Sequence, residues 1–235
     1  MRVWDVHPGY LSRTRLLGEH REIHAVWTVV TEDKKGYSNH PETNRWRGHL
    51  SHLYRRHEIT TAEMRLRGYN HASPLDVPGS MGEAPGFLDP PHEQFEILKE
   101  KYDKEEAGRI PLPDRISEFW EHHKYSVLAR GHEKHQEIAS MSEKNGGMDV
   151  NHAPKLVRKT STILRLIPER APLFNAWQHV IARFKTKAPE EACNQWLNCL
   201  PDKARQLGRV IYRAAGECDE TLVIHSTILS DGFRT

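Results

Sequence analysis

Glu19-His20-Arg21-Glu22-Ile23-His24 places two carboxylates, a guanidinium and two imidazoles on consecutive turns of what reads as a single helix. Paired with the α-amine of Met1, such a group contains the parts of a nucleophilic reaction on a phosphorylated substrate. An α-amine titrates at about 7.7–8.0 against about 10.4 for a lysine, so as a class these amines are partly neutral, and therefore nucleophilic, near pH 7. A carboxylate such as Glu22 can stabilise developing positive charge or move a proton, and guanidinium forks such as Arg2, Arg15 and Arg21 match phosphate oxygens in pairs. Taken alone, Arg21-Glu22 reads first as a solvated surface pair of little energetic weight, and only its context points to chemistry. The i,i+4 spacing of His20 and His24 suits metal ligands in principle, but the pair reads as packed or phosphate-facing, and no metal or cofactor is expected. His132-Glu133-Lys134-His135 reads as a solvated helix face.

The elements that must position these groups are helical throughout. Residues 8–30 predict one helix with an apolar stripe through Leu11, Leu16, His20, Ile23, Trp27 and Val30, while Arg15, Gly18, Glu19 and Glu22 fall on a different stripe. Pro41 opens a second helix that Gly68 ends. Trp27, Trp46 and Tyr69 are expected in the core. Residues 70–90, rich in proline and glycine, predict a long loop that wraps over the surface. A third helix is expected over 91–107, a fourth capped by Asp114 and running to Gly146-Gly147, and four more over 156–167, 172–185, 189–200 and 202–215. The fold class is all-α, with no strand signal.

The 235 residues suffice for one large domain or two small ones. No apolar run approaches the ~18 residues of a membrane span and no signal-peptide core opens the chain, so a cytoplasmic protein without a membrane partner is expected. Cys193, Cys199 and Cys218 are odd in number and off zinc-ribbon spacing, which argues against a disulfide framework. The net charge of +2 is unevenly spread. Residues 1–75 carry 12 Lys/Arg against 8 Asp/Glu (+4), residues 88–150 carry 9 against 14 (−5), and residues 151–235 carry 13 against 8 (+5). Two basic ends around an acidic middle suit a polyanion cleft, although solvated helices produce the same pattern.

Arg2-Val3, Glu19-His20-Arg21-Glu22-Ile23, the run Ala62-Glu63-Met64-Arg65-Leu66-Arg67-Gly68-Tyr69-Asn70 and Pro91-His92-Glu93 together resemble the pyrimidine-dimer DNA glycosylases of the phage endonuclease V type, in order and spacing. The resemblance covers roughly the first 110 to 125 residues. It implies a monomeric helical domain over residues 1–113, with a C-terminal helical accessory region over 114–235. It also implies a partner, double-stranded DNA with a damaged or modified base, and a mechanism. The amine of the first residue forms a Schiff base with C1′ of the sugar, the N-glycosidic bond breaks, and β-elimination nicks the strand. Carried onto this chain, Met1 supplies the amine, since Arg2 is too large for ordinary methionine removal, and Glu22 is the helical carboxylate. Arg2, Arg15, Arg21, His20, His24, Lys101, Lys104 and Lys124 become the DNA contacts. The family's Gln-His pair is Thr14-Arg15 here, and Ala25 replaces a basic residue. The target therefore stays open between a pyrimidine dimer and a hypermodified base in foreign DNA, beside a non-catalytic basic nucleic-acid module. A second resemblance, through Phe119, residues 123–130, Asn175-Ala176-Trp177-Gln178-His179 and Phe184-Lys185, is to an uncharacterised helical family found beside photolyases.

Overall fold

The computed structural model describes residues 1–79, 82–102 and 106–185. The expected helix over 8–30 forms in two pieces. His7 Nδ1 accepts the Gly9 N–H at 2.9 Å and starts a short 3-10 turn, Pro8–Tyr10. Leu11 is extended, and Ser12 then caps α1, Arg13–Thr31, by accepting the Arg15 N–H on its hydroxyl at 3.2 Å. The buried stripe of α1 is Leu16, Glu19, Ile23, Val26 and Val29. It is rotated by about 60° from the stripe through His20 and Trp27, at about 100° per residue, because the Glu19 carboxylate finds partners inside the protein.

Two further helices also break where one was expected. Residues 41–68 form α2, Pro41–Trp46, and α3, Leu50–Leu66, with Gly48 at φ +76° between them. Residues 114–145 form α5, Ile116–Leu128, and α6, His132–Asn145, separated by Gly131 at φ +121°. A glycine inside a helical pattern can simply be tolerated; at these two positions it enters the region that L side chains rarely adopt, and the chain turns. The cap of α5 differs from expectation as well. Arg115 occupies the cap position, and Glu118 Oε2 accepts the N–H groups of Asp114 and Arg115 at 2.9 and 3.4 Å.

Between these elements α4 runs Pro91–Tyr102, shorter than expected, and α7, Pro154–Leu164, and α8, Arg170–Lys185, follow. The fold is all-α, with no strand among the described residues. No described helix is long and apolar enough to cross a membrane. The helices expected over 189–200 and 202–215 and the three cysteines lie outside the described residues, as does Lys104.

The main apolar cluster draws Trp4, Tyr10, Leu16, Met64 and Phe95 together with Ile116, Phe119, Val150 and Val157, so residues on both sides of position 113 share one core. Each such fully buried large side chain contributes about 1.5–3 kcal/mol. Within this core the Tyr10 hydroxyl lies 3.0 Å from His122 Nδ1 and 2.9 Å from His123 Nε2 on α5. A second cluster packs Val3 against Ile23 and Val26 of α1, Trp46 of α2 and Leu53 of α3. The loop before α4 wraps as expected and is held by its backbone. His49 and His52 bond the carbonyls of Glu83 and Gly82, Arg45 Nε donates to the Gly86 carbonyl at 2.9 Å, and Arg165 Nη1 donates to that of Pro85 at 2.7 Å.

Glu63 of α3 is wholly buried between two guanidinium groups, 2.7 Å from Arg109 Nε and 2.8 Å from Arg67 Nε. Burial alone would raise its pKa. The charges of Arg109 and Arg67 and the Arg109 hydrogen bonds outweigh it and hold the carboxyl well below the usual carboxylate range. Its stabilising contribution is then fully present above the ordinary glutamate pKa and is lost only as pH falls through the lower folded-state value. Glu63→Gln leaves buried guanidinium charge uncompensated and is expected to cost about 3–5 kcal/mol at neutral pH in urea denaturation. The loss should shrink as the wild type approaches its acid limb.

Candidate active site

α1 positions three sets of groups on three faces. Glu19 points inward and is 2% exposed. Its Oε1 accepts the Trp4 N–H at 2.7 Å and Arg56 Nε at 2.9 Å, and its Oε2 accepts Arg56 Nη2 at 2.8 Å. Burial pushes this carboxyl up to about 7, against the opposing charge and hydrogen bonds of Arg56 and the Trp4 amide. Arg56 also donates to the Val6 carbonyl at 2.8 Å. The N-terminal segment is thereby fastened to α1 and α3 at Trp4 and Val6. Upstream of that anchor, Met1 packs on the cluster containing Ile23 and Val26, and its sulfur lies 3.7 Å from Thr43 Oγ1. The first residue is thus laid along the helix that carries Glu22.

Glu22 is half-buried on a second face. At about 100° per residue, Arg15 and Gly18 lie about 20° and 40° from it on the helical wheel, so the three form one stripe. A side chain at Gly18 would meet no described residue within 4 Å, which leaves space between Arg15 and Glu22 among the described residues. Arg21 is exposed on the neighbouring side. His20 and His24 lie about 160° from Glu22. They form a third face with His57 of α3 and His71, so they do not share a surface with the carboxylate.

The remaining expected contacts are dispersed. Arg2 Nη1 is 2.6 Å from Asp89 Oδ2, and its guanidinium lies 4.9 Å from the Trp4 ring centroid. Lys101 is half-buried in the last turn of α4. Lys124 is buried on α5, ion-paired with Glu121 and 5.3 Å from the Tyr125 ring centroid.

Sequence reasoning missed Glu19, Arg56 and a small, partly open cavity beside the N-terminal segment. Its lining includes Trp4, Asp5, Trp46, Arg55, Arg56 and Arg165. Asp5 is ion-paired with both Arg45 and Arg165, which joins α2 to the end of α7 under the cavity. No local pattern marks this wall, because its residues come from four separate parts of the chain.

Residues 1–77 match the family model described as pyrimidine dimer DNA glycosylase. The N-terminal third of the chain is therefore similar to a family of DNA-repair enzymes acting on DNA, the one its motifs anticipated. No curated protein and no solved structure matches the chain.

The two acids of α1 should separate cleanly by stability. Glu19→Ala strands the Trp4 amide and the Arg56 charge and is expected to cost about 3–5 kcal/mol. Glu22→Gln is expected to stay within about 0.5 kcal/mol of wild type. Equilibrium denaturation of both variants checks this; equal losses would mean that Glu22 is also structural.

Proposed function

We propose that this chain is a DNA-repair glycosylase with abasic-site lyase activity, excising one base of a pyrimidine dimer through a Schiff base formed by the Met1 amine. The observation that supports it is the placement of Met1 along α1, on the cluster that includes Ile23, next in sequence to Glu22. The neutral amine attacks C1′, the N-glycosidic bond breaks, and the freed ring nitrogen takes up a proton while the base stays joined to its dimer neighbour. The sugar ring opens to the iminium, and loss of a C2′ proton expels the 3′ phosphate. Hydrolysis of the imine returns the amine. Glu22 stabilises the positive charge at C1′ and moves the protons. Arg15 and Arg21, flanking Glu22, hold strand phosphates, and Lys101 adds a backbone contact. Reaching C1′ requires distortion or extrusion of a nucleotide, which costs a few kcal/mol and least at a damaged pair.

The cavity favours a second reading of the substrate. Thr14-Arg15 and Ala25 stand where the resembled family grips its DNA with other residues, and the cavity lies beside the N-terminal segment, so in this reading the same chemistry acts on a hypermodified base in foreign DNA. Parallel digestion of ultraviolet-irradiated and base-modified phage DNA separates the two.

Borohydride reduction of the full chain on a lesion-bearing or abasic duplex is expected to trap a covalent protein–DNA adduct. One residue added ahead of Met1 should abolish trapping, and Glu22→Gln should lower nicking by about 10²-fold or more. Salt-sensitive binding with neither adduct nor nicking would leave a non-catalytic nucleic-acid module instead.

A further inference from the structure

His20 and His24 of α1, His57 of α3 and His71 of the following loop each direct one ring nitrogen into a common space, and the four nitrogens lie within 4.8 Å of one another. We propose that these four histidines bind a divalent first-row transition metal, zinc foremost, as a structural site that clamps the start of the loop onto α1 and α3. The site lies on the face of α1 opposite Glu22 and is independent of the glycosylase reading.

Four observations carry the assignment. The Nε2 atoms of His20 and His24 are 3.2 Å apart, close to the edge of about 3.3 Å of a tetrahedron with metal–nitrogen bonds of about 2.0–2.1 Å. His57 is wholly buried, and its Nε2 is without a hydrogen-bond partner among the described residues. Its other nitrogen, Nδ1, lies 3.0 Å from Glu58 Oε1. This is the arrangement in which a carboxylate orients a metal-binding imidazole and raises its basicity. The rings pack close to one another, with His71 5.0 Å from both His20 and His57 between centroids and His24 5.0 Å from His57.

The protonation states agree with this geometry. Burial, followed by the charges of the neighbouring imidazoles, lowers His20 to about 4, and the same causes lower His24 and His71. A metal requires neutral imidazole, so these ligands need little deprotonation at pH 7. An all-nitrogen first shell suits zinc, copper or nickel and not the oxygen-seeking calcium or magnesium, and four convergent donors favour the tetrahedral ion.

The test uses the full chain purified without a polyhistidine tag, loaded with zinc and dialysed against a weak chelator. One zinc per chain is expected by elemental analysis, and cobalt substitution should give the intense visible bands of a tetrahedral site. His57→Gln and His71→Ala should lose the stoichiometric metal. Glu58→Gln should weaken binding about 10- to 100-fold. A double His132→Ala, His135→Ala variant on α6 should bind as wild type. Substoichiometric zinc or a weak octahedral cobalt spectrum in the wild type would overturn the proposal even if a histidine variant failed to fold. Retention of metal by folded His57→Gln and His71→Ala would also overturn it. The readout is metal content, so loss of glycosylase activity neither supports nor weakens it.

Discussion

The contact on which the N-terminal half depends is the buried carboxylate of Glu19, shared between the Trp4 amide and the Arg56 guanidinium. An ionised group in an apolar interior is costly unless it is paired and fully hydrogen-bonded. Here the need for partners fixes three things together: the rotation of α1, the approach of α3 and the path of the first residues. If α1 were turned to bury His20 and Trp27 instead, Arg56 and the Trp4 amide would lose their acceptor. The helix therefore presents Glu22 on the stripe with Arg15 and Gly18.

The same device recurs around this anchor. Glu42 accepts the Trp46 indole N–H at 2.8 Å and Arg45 Nη1 at 3.1 Å, and Glu63 sits between Arg67 and Arg109. Asp5 bridges Arg45 and Arg165. These pairs join the N-terminal segment to α2 and α7, and α3 to the loop before α5, so the surplus of positive charge at the ends of the chain is partly internal. Arg45 and Arg165 carry formal charge without presenting it to a polyanion. A charge count along the sequence therefore overstates the basic surface, and Lys124, buried against Glu121, is a further instance.

The helices and the wrapping loop were legible in the sequence because each is written in local terms: a period of 3.6 residues and a density of proline and glycine. The breaks at Gly48 and Gly131 were not, since a glycine tolerated within a helix and a glycine ending one look alike until φ is known. Glu19 was read as a polar-face residue because an acid's burial depends on a partner 37 positions away. His20 and His24 were visible as an i,i+4 pair. That they meet His57 and His71 depends on how α3 packs on α1 and where the chain goes after it, which no local spacing records.

α1 thus divides its labour by angle. Its inward face, through Glu19, holds the start of the chain. Its second face, through Arg15, Gly18 and Glu22, is open where a sugar-phosphate strand would have to approach. On its third face, burial and then neighbouring charges push His20 and His24 below the ordinary imidazole pKa, so these two bring little positive charge to a phosphate at pH 7. In the proposed reading Arg15 and Arg21 then supply the electrostatic attraction. The histidine face has a different physical requirement: four convergent imidazoles, one with a buried nitrogen that has no partner among the described residues, satisfy one another poorly and a bound cation well.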